Sequence, residues 1–327
     1  MTSYLIKRTL IMLFTIAVVS IASFATIQLP PGDYATKLYS QIAGSGANVS
    51  PDLEERIREQ YGLNQPVHVQ YFKWIRNLFQ GQFGYSYTYK QDASALIRDR
   101  LPLSFVISFS TILFIWLVAI PVGIFSAVKK YSAGDYSVSF LSFLGMSIPD
   151  FLLALIFMFV SYRFFGQSVA GLFSEQYVNA PWSFAKVLDF LGHLWVPILI
   201  GGVAGVAALI RTMRANLLDE LNKPYVETAR AKGISEGRLL WKYPVRHALN
   251  PFVSTIGWTL PLIISGEVLI SKVLNLPTTG PVLFNALQSQ DLYLAAGFIL
   301  VLSVLTVIGT FISDLLLAWL DPRIRLE

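Results

Sequence analysis

The residue types that most often carry out chemistry are scarce in this chain. It has no cysteine and only three histidines, His68, His193 and His247, none of which begins an H-E-x-x-H zinc motif. Without cysteine there is no disulfide, no thiolate metal site and no cysteine nucleophile. The sequence also contains no G-x-x-x-x-G-K-[ST] phosphate loop, no G-x-S-x-G elbow and no G-x-G-x-x-G motif. We therefore predict that the chain is not an enzyme and has no catalytic residue, cofactor or metal site of its own.

Two acidic residues stand out because they interrupt or end uncharged stretches. Asp150 follows Ser147-Ile148-Pro149 within the otherwise uncharged segment between Tyr136 and Arg163, and Glu267 follows the charge-free residues 247–266. An ionisable group at membrane depth is costly and generally faces a cavity or a partner. Asp150 therefore either lines a pathway or caps a helix that is broken at the proline. We take Asp150 and Glu267 as candidate pathway or gate residues.

The composition indicates that lipid is the solvent for much of the chain. Of the 327 residues, 54% are apolar and 14% are charged, whereas an ordinary soluble domain has about 25% charged residues. A membrane-spanning helix needs about 20 apolar residues. We predict an all-α integral membrane protein with six transmembrane helices, because six segments lack charge apart from Asp150 and the terminal Arg163: 9–32, 101–128, 136–163, 190–210, 247–266 and 292–313. Residues 273–290 also lack charge, but their asparagine, prolines, threonines and glycine predict a loop.

The positive charges predict the orientation of these helices. With a cytoplasmic N-terminus, the inside segments hold 14 Lys and Arg residues and the short outside loops hold 3. This asymmetry is typical of membrane proteins and places both termini in the cytoplasm. It also explains the formal net charge of +5 without a nucleic-acid partner. The first apolar segment is longer than the core of a secretory signal, so we predict a retained anchor.

These spans divide the chain into four parts. We predict an N-terminal transmembrane helix (1–29), a small extracytoplasmic domain between helices 1 and 2 (30–100), a five-helix core (101–320) and a cytoplasmic tail (321–327). Within residues 30–100, Ser50 and Pro51 predict a helix that ends at Gly62, and residues 68–78 predict a second, amphipathic helix. This domain is either a docking surface for an outside partner or a cap that connects two spans.

The cytoplasmic loop within the core, residues 211–246, has a pattern typical of two short helices. Pro224 can begin the first helix and Gly233 can end it in the left-handed conformation. Ser235 can begin a second helix, which Pro244 follows. From this pattern alone, the first helix either lies on anionic lipid headgroups or docks on a protein. On the span before this loop, Gly201-x-x-x-Gly205 predicts close helix packing, within the subunit or at a dimer interface.

This loop also carries a resemblance to a known family. Glu227-Thr228-Ala229-x-x-x-Gly233 resembles the E-A-A-x-x-x-G loop of binding-protein-dependent ABC importer permeases, with Thr228 in place of the middle alanine. Three further stretches are similar to the dipeptide/oligopeptide/nickel subfamily: Pro31-Gly32-Asp33, Tyr61-Gly62-Leu63-Asn64-Gln65-Pro66 and Leu320-Asp321-Pro322-Arg323-Ile324-Arg325. The likeness thus extends along the chain in the family's order. One departure is Leu274-Asn275-Leu276-Pro277-Thr278-Thr279-Gly280, where the family often has F-N-L-P-G-L-G.

The resemblance implies the membrane permease subunit of an ATP-driven importer in a bacterial or archaeal cytoplasmic membrane. It implies a second permease subunit in a heterodimer, two cytoplasmic ATPases that use the ATP, and an external solute-binding protein. Glu227, Thr228, Ala229 and Gly233 would form the ATPase-coupling loop, in which small side chains at 228 and 229 allow close approach. The expected solute is a di- or oligopeptide. An oligosaccharide importer and, less favoured, a secondary transporter are the alternatives.

Overall fold

In the computed structural model, the described residues are 2–28, 34–44, 50, 52–166, 168–253 and 268–320, and most of them are helical. The helices are α1 (Thr2–Gln28), α2 (Tyr34–Gly44), α3 (Leu53–Tyr61), α4 (Val67–Phe79), α5 (Ala93–Val128), α6 (Ala133–Ser147), α7 (Asp150–Phe165), α8 (Phe184–Leu221), α9 (Pro224–Ala231), α10 (Glu236–Lys242), α11 (Pro244–Ala248), α12 (Val268–Val273), α13 (Thr279–Gln288) and α14 (Leu292–Leu320). A 3-10 turn covers Glu175–Tyr177. A two-stranded antiparallel hairpin pairs β1 (Tyr85–Ser86) with β2 (Gln91–Asp92).

Four of the described helices are long and apolar enough to cross a membrane: α1, α5, α8 and α14. Helices α6 and α7 pass the same test as a pair but are bent by 97° at the break between them. The break includes Pro149, which confirms that the helix is interrupted at this proline. Most of the predicted fifth helix lies outside the described residues, so the number of six remains a prediction. The described residues form a mostly helical, multi-pass membrane protein.

Two predictions about local structure are wrong. Residues 279–288, expected to lie in a loop, form α13. Pro281 falls in the first turn of this helix, where its missing N–H would have no intrahelical partner in any case. Helix α3 begins at Leu53 with Asp52 at its N-cap, so the predicted N-cap Ser50 is wrong, and Pro51 lies outside the described residues. Its end is as predicted, because Gly62 has a φ of 67° and closes the helix in the left-handed conformation. The predicted amphipathic helix is confirmed as α4.

The chain divides into two compact units, of which the first comprises the described residues within 103–277 and 308–320. Its core includes a cluster in which Met213 and Leu217 of α8 pack with Val245 and Ala248 of α11. Helices α5 and α8 approach closely because glycine lies at their contact. A Cβ added at Gly123 would lie 2.6 Å from the Cβ of Met213, well inside van der Waals contact.

The small residues on α8 pack within the chain. A Cβ at Gly205 would lie 2.6 Å from Ile115 Cδ1, and a Cβ at Gly202 would lie 2.7 Å from Phe114 Cδ1. A Cβ at Gly201 would meet its nearest atom, Thr111 Cγ2, only at 4.0 Å. The closely packed face of the helix therefore comprises Gly202 and Gly205. The predicted close packing is confirmed at Gly205 and is wrong at Gly201.

The second unit comprises the described residues within 2–102 and 278–307. Trp74 of α4 is 2% exposed and packs against Phe24 of α1, with the ring centroids 5.5 Å apart. The buried Asp291 accepts hydrogen bonds from Ser86 Oγ at 2.6 Å and from the Thr88 backbone N–H at 3.1 Å. A carboxylate at the start of α14 therefore holds the β-hairpin in place.

Candidate functional site

The predicted first loop helix is present as α9. Pro224 occupies its first turn, and the preceding Lys223 is extended, with φ −80° and ψ 146°. The helix ends two residues before Gly233, whose φ is 75°. The Gly233 backbone N–H donates to the Arg230 carbonyl at 3.0 Å. Gly233 thus supplies a left-handed turn, a conformation that residues with a side chain adopt only with strain.

Helix α9 is held in place by packing against α10. Val226 and Leu239 are fully buried and Ala229 is 8% exposed, and the three form one apolar cluster. Glu227 and Thr228 lie on the opposite, exposed side. The expectation that Ala229 offers a small side chain to a partner does not match this geometry, because Ala229 is used to bring α9 close to α10. The available surface of the motif is formed by Glu227 and Thr228.

An exposed ion pair closes the turn between the two short helices. Arg230 Nε and Nη2 donate to the two carboxylate oxygens of Glu236 at 2.5 and 3.2 Å. This contact lowers the pKa of Glu236 and raises that of Arg230, since each charge favours the other. Both side chains are in water, so the pair orients the turn more than it stabilises the fold.

The N-terminal end of α9 is hydrogen-bonded to the C-terminal end of α8. Glu220 accepts hydrogen bonds from Lys223 Nζ at 2.5 Å and from the Tyr225 hydroxyl at 2.5 Å. Burial and the hydrogen bond to Glu220 raise the pKa of Tyr225 well above its usual range. The Tyr225 ring also contacts Tyr243 and His247, at centroid distances of 6.4 and 5.8 Å. One tyrosine therefore links α8 and α9 to α11, through the N-cap residue Tyr243 and through His247 within that helix.

Six residues before Glu220 on α8, an ion pair with a buried carboxylate joins this helix to α6. Arg214 donates from Nε and Nη2 to the two oxygens of Asp135, each at 2.7 Å. The same carboxylate accepts from the Ser126 hydroxyl and from the Tyr131 backbone N–H at 2.8 Å. Asp135 is 2% exposed. Such fork-shaped contacts fix the relative geometry of both partners.

Sequence reasoning missed the Asp135–Arg214 pair. A usable signal is present, because Ser132-Ala133-Gly134-Asp135 has the spacing of a helix-capping box. Ser132 Oγ accepts the Asp135 backbone N–H at 3.2 Å, as that motif predicts. The motif locates the start of α6 but does not identify Arg214, which lies on a distant part of the sequence.

Of the two predicted intramembrane acids, Asp150 lies within the described residues. Asp150 is the first residue of α7, directly after the bend, and its side chain is partly buried. A negative charge is favoured in the first turn of a helix, which suits the capping interpretation of Asp150. The N-cap residue itself is Pro149, whose side chain has no hydrogen-bonding group. A pathway role for Asp150 stays a prediction. Glu267 lies outside the described residues.

Together these features define a multi-pass helical membrane protein in which a loop of two packed short helices follows a long span. Within the part of the chain that the structure describes, no group of three or more His, Cys, Asp or Glu side chains is arranged to hold a metal ion. Residues 119–326 match the family described as binding-protein-dependent transport system inner membrane component, and residues 1–108 match the corresponding N-terminal family. The chain belongs to this family of transport permeases.

Named relatives align over their full length. Oligopeptide transport system permease protein AppB of Bacillus subtilis is 34% identical over 99% of this chain and 100% of the relative. A putative peptide permease of Brucella ovis is 33% identical over 99% of both chains. The inner membrane ABC transporter permease protein YejB of Escherichia coli O157:H7 is 30% identical over 100% of both.

A solved structure supports the fold. A chain from inward-facing conformations of the MetNI methionine ABC transporter superposes with a TM-score of 0.52 at 16% identity. The match covers 69% of this chain and 96% of that chain. At this identity the likeness concerns the arrangement of helices and does not extend to the solute.

Proposed function

We propose that this chain forms half of the translocation pathway of an ATP-driven importer for di- or oligopeptides in a bacterial or archaeal cytoplasmic membrane. The full-length similarity to chains named as oligopeptide and peptide permeases supports this solute class. An oligosaccharide is the second candidate, because residues 274–280 depart from the pattern that the peptide family often shows.

The proposed assembly has four further components. A second, related permease subunit pairs with this chain, two cytoplasmic ATPases supply the energy, and an external binding protein delivers the solute. Residues 30–100 face the outside, whereas residues 211–246 and both termini face the cytoplasm. The excess of Lys and Arg in the proposed cytoplasmic segments supports this orientation.

One observation carries the proposed coupling role: α9 is packed against α10 on one side and exposed on the other. Its buried face packs on Leu239, and Tyr225 near its N-terminal end donates a hydrogen bond to Glu220 of α8. In the proposed role, a force on the exposed Glu227 and Thr228 is therefore transmitted to α8. Movement of the ATPases would then bias the permease between two conformations. Gly233 sets the direction of the chain as it leaves this helix.

A reconstitution experiment tests the proposal. The tagged chain, purified gently from its host with the proteins that accompany it, is placed in liposomes and assayed for uptake of labelled peptides. We expect uptake to require ATP, a P-loop ATPase and the external binding protein. Uptake by this chain alone, driven by an ion gradient without ATP, would instead support the secondary transporter. Uptake of oligosaccharides but not peptides would move the solute to the second candidate.

Two substitutions test the coupling loop within that assay. Gly233→Pro forces φ from 75° to about −65°, and Glu227→Lys reverses the charge on the exposed face. We expect each to abolish transport-coupled ATP hydrolysis while membrane insertion is retained. Gly237→Ala is the matched control, because its added Cβ has no neighbour within 4 Å. Normal coupling in both variants would refute the assignment of α9.

The absence of cysteine makes the orientation directly measurable. Glu227→Cys and Gln65→Cys each introduce one thiol at an exposed position. In intact cells, an impermeant maleimide should label the thiol at position 65 and not that at 227. In inside-out vesicles the pattern should reverse. Labelling of both positions from the same side would contradict the proposed topology.

A further inference from the structure

Helix α4 carries two phenylalanines that the rest of the chain leaves uncovered. Phe72 is 67% exposed and Phe79 is 90% exposed. They are seven residues apart, which is about two turns, so they lie on one side of the helix. At about 100° per residue, this side is roughly opposite the buried Trp74. Exposed apolar surface of this kind generally marks contact with another protein or with a membrane.

The contacts between α4 and α1 locate α4 relative to a membrane span. The apolar span of α1 is Ile6–Ala25. In its last two turns, Ser20 Oγ and the Tyr71 hydroxyl share a hydrogen bond of 2.8 Å. The Phe24 ring packs against Trp74, with the centroids 5.5 Å apart. The middle of α4 therefore lies beside the end of this span.

The same helix shows that lipid reaches this level. Ile21 belongs to the apolar span, lies next to Ser20 and is 56% exposed. Just beyond the span, Gln28 Nε2 donates to Gln70 Oε1 at 3.2 Å. With a rise of about 1.5 Å per residue, the contacts from Ser20 to Gln28 cover about 12 Å of α1. They therefore cross the boundary between the acyl chains and the headgroups.

A second span places α4 at the same level. The apolar part of α14 is Tyr293–Leu316. Trp74 packs in one cluster with Ala296, in the first turns of α14. Four residues after the end of α4, Phe83 contacts the same part of α14, where a Cβ added at Gly297 would lie 3.1 Å from the Phe83 ring. The middle of α4 and the chain just after it thus both lie at the end of a span.

Basic residues adjoin the two exposed rings. Arg76 lies four residues after Phe72 and three before Phe79, which places it on the same side of the helix. Lys73 is next to Phe72, and both basic side chains are exposed. Aromatic and basic residues together are typical of helices that lie at a membrane surface, where the rings enter the acyl boundary and Lys and Arg reach the phosphates. Charge complementarity thus favours phospholipid over a purely apolar partner.

We infer that α4 is an interfacial helix whose Phe72 and Phe79 side chains enter the surrounding lipid. Arg76 and Lys73 contact the phosphate groups of the same leaflet. The proposed topology makes this the outer leaflet, whereas the lipid contact itself rests only on the packing of α4 against two spans. One helix of the segment 30–100 is therefore anchored in the bilayer.

The test places one fluorescent probe at a time on a chain that has no cysteine of its own. Phe79→Cys is labelled with bimane, and the chain with its accompanying subunits is reconstituted into liposomes of phosphatidylethanolamine and phosphatidylglycerol. The parent complex, treated in the same way, gives the background from the other subunits. We expect a lipid with a nitroxide on its acyl chain to quench the probe, and iodide in the water to have little effect. Phe72→Cys should give the same result.

Two matched positions define the extremes. Asn77 is two residues from Phe79 on the same helix but lines a polar cleft with Gln82 and Asp92, so a probe at Asn77→Cys should be quenched by iodide and not by the nitroxide lipid. Ile21→Cys supplies the lipid reference on α1. Because Asn77 and Phe79 differ by only about 3 Å along the helix axis, the difference between their probes reports which side of α4 faces lipid.

Two results would overturn the inference. Quenching of the Phe79→Cys probe by iodide, as at Asn77→Cys, would show that this side of α4 faces water. Quenching by neither agent would show that protein covers it, as a second permease subunit or a binding protein would. Neither readout depends on the transported solute or on ATP. Maleimide labelling of Gln65→Cys from the cytoplasmic side would change the leaflet and not the lipid contact, so a failure of the proposed topology is separately visible.

Discussion

The contact between α5 and α8 provides the sharpest test of the fold, through Gly123→Ala. The added Cβ would lie 2.6 Å from Met213 Cβ, 2.9 Å from Met213 Cγ and 3.1 Å from the Ile210 carbonyl oxygen. Carbon atoms in contact prefer separations of about 3.5–4.0 Å. The helices must therefore separate by about 1 Å, since Met213 is 0% exposed and its Cβ cannot rotate away.

The expected cost follows from this geometry. Overpacking a filled core costs about 1–3 kcal/mol, and the upper end applies because the obstacles are a Cβ and a backbone oxygen. Alanine is about 1 kcal/mol better than glycine inside a helix, which offsets part of that loss. Gly201→Ala has the same gain in propensity and no close neighbour, because its nearest atom is at 4.0 Å. The difference between the two variants is therefore about 3 kcal/mol.

Thermal unfolding in one detergent measures this difference. Samples are heated in steps, and the fraction that still elutes as a single species gives an apparent midpoint. We expect the Gly123→Ala midpoint to lie roughly 4 °C below that of Gly201→Ala. Equal midpoints would show that α5 and α8 do not approach as closely as the structure places them.

The same measurement serves the remaining predictions. Asp135→Asn removes the anionic partner of Arg214 and should cost about 3 kcal/mol, the lower end of the range for a broken buried pair, because the Arg214 side chain is 27% exposed; an unchanged midpoint would contradict the pair. Trp74→Ala should cost about 4 kcal/mol, whereas Phe79→Ala on the same helix should change stability by less than about 0.5 kcal/mol, because Phe79 is 90% exposed. Equal effects of these two changes would contradict the packing of α4.

The apolar segments were predictable because a membrane span depends on composition over a long window. The break at Pro149 and the left-handed Gly233 were also predictable, since each depends on the backbone limits of a single residue. The sequence was misleading at α13, where two prolines, two threonines and a glycine suggested a loop. These residues are equally compatible with the first turn of a helix, and only the residues packed around that turn distinguish the two.

The two short helices of the cytoplasmic loop were predictable from the sequence, but the buried side of α9 was not. The motif around Glu227 located the loop, yet the motif alone could not show that Ala229 is buried against Leu239. Which side of an eight-residue helix is buried depends on the second helix that covers it. Likewise, the pairing of Asp135 with Arg214 joins residues far apart in the sequence, and local patterns carry no information about such contacts.

The contacts along α8 form a continuous mechanical connection in the proposed importer. Tyr225 and Lys223 bind Glu220 near the last turn of this helix, and Arg214 binds Asp135 at the start of α6. In the proposed coupling, a displacement of α9 would pass along α8 from Glu220 to Arg214, which lies six residues earlier on the same helix. Helix α6 would then carry the displacement to the break at Pro149, where α6 and α7 meet at 97°. Each of these contacts joins one side chain to a defined partner, so single substitutions can remove them one at a time.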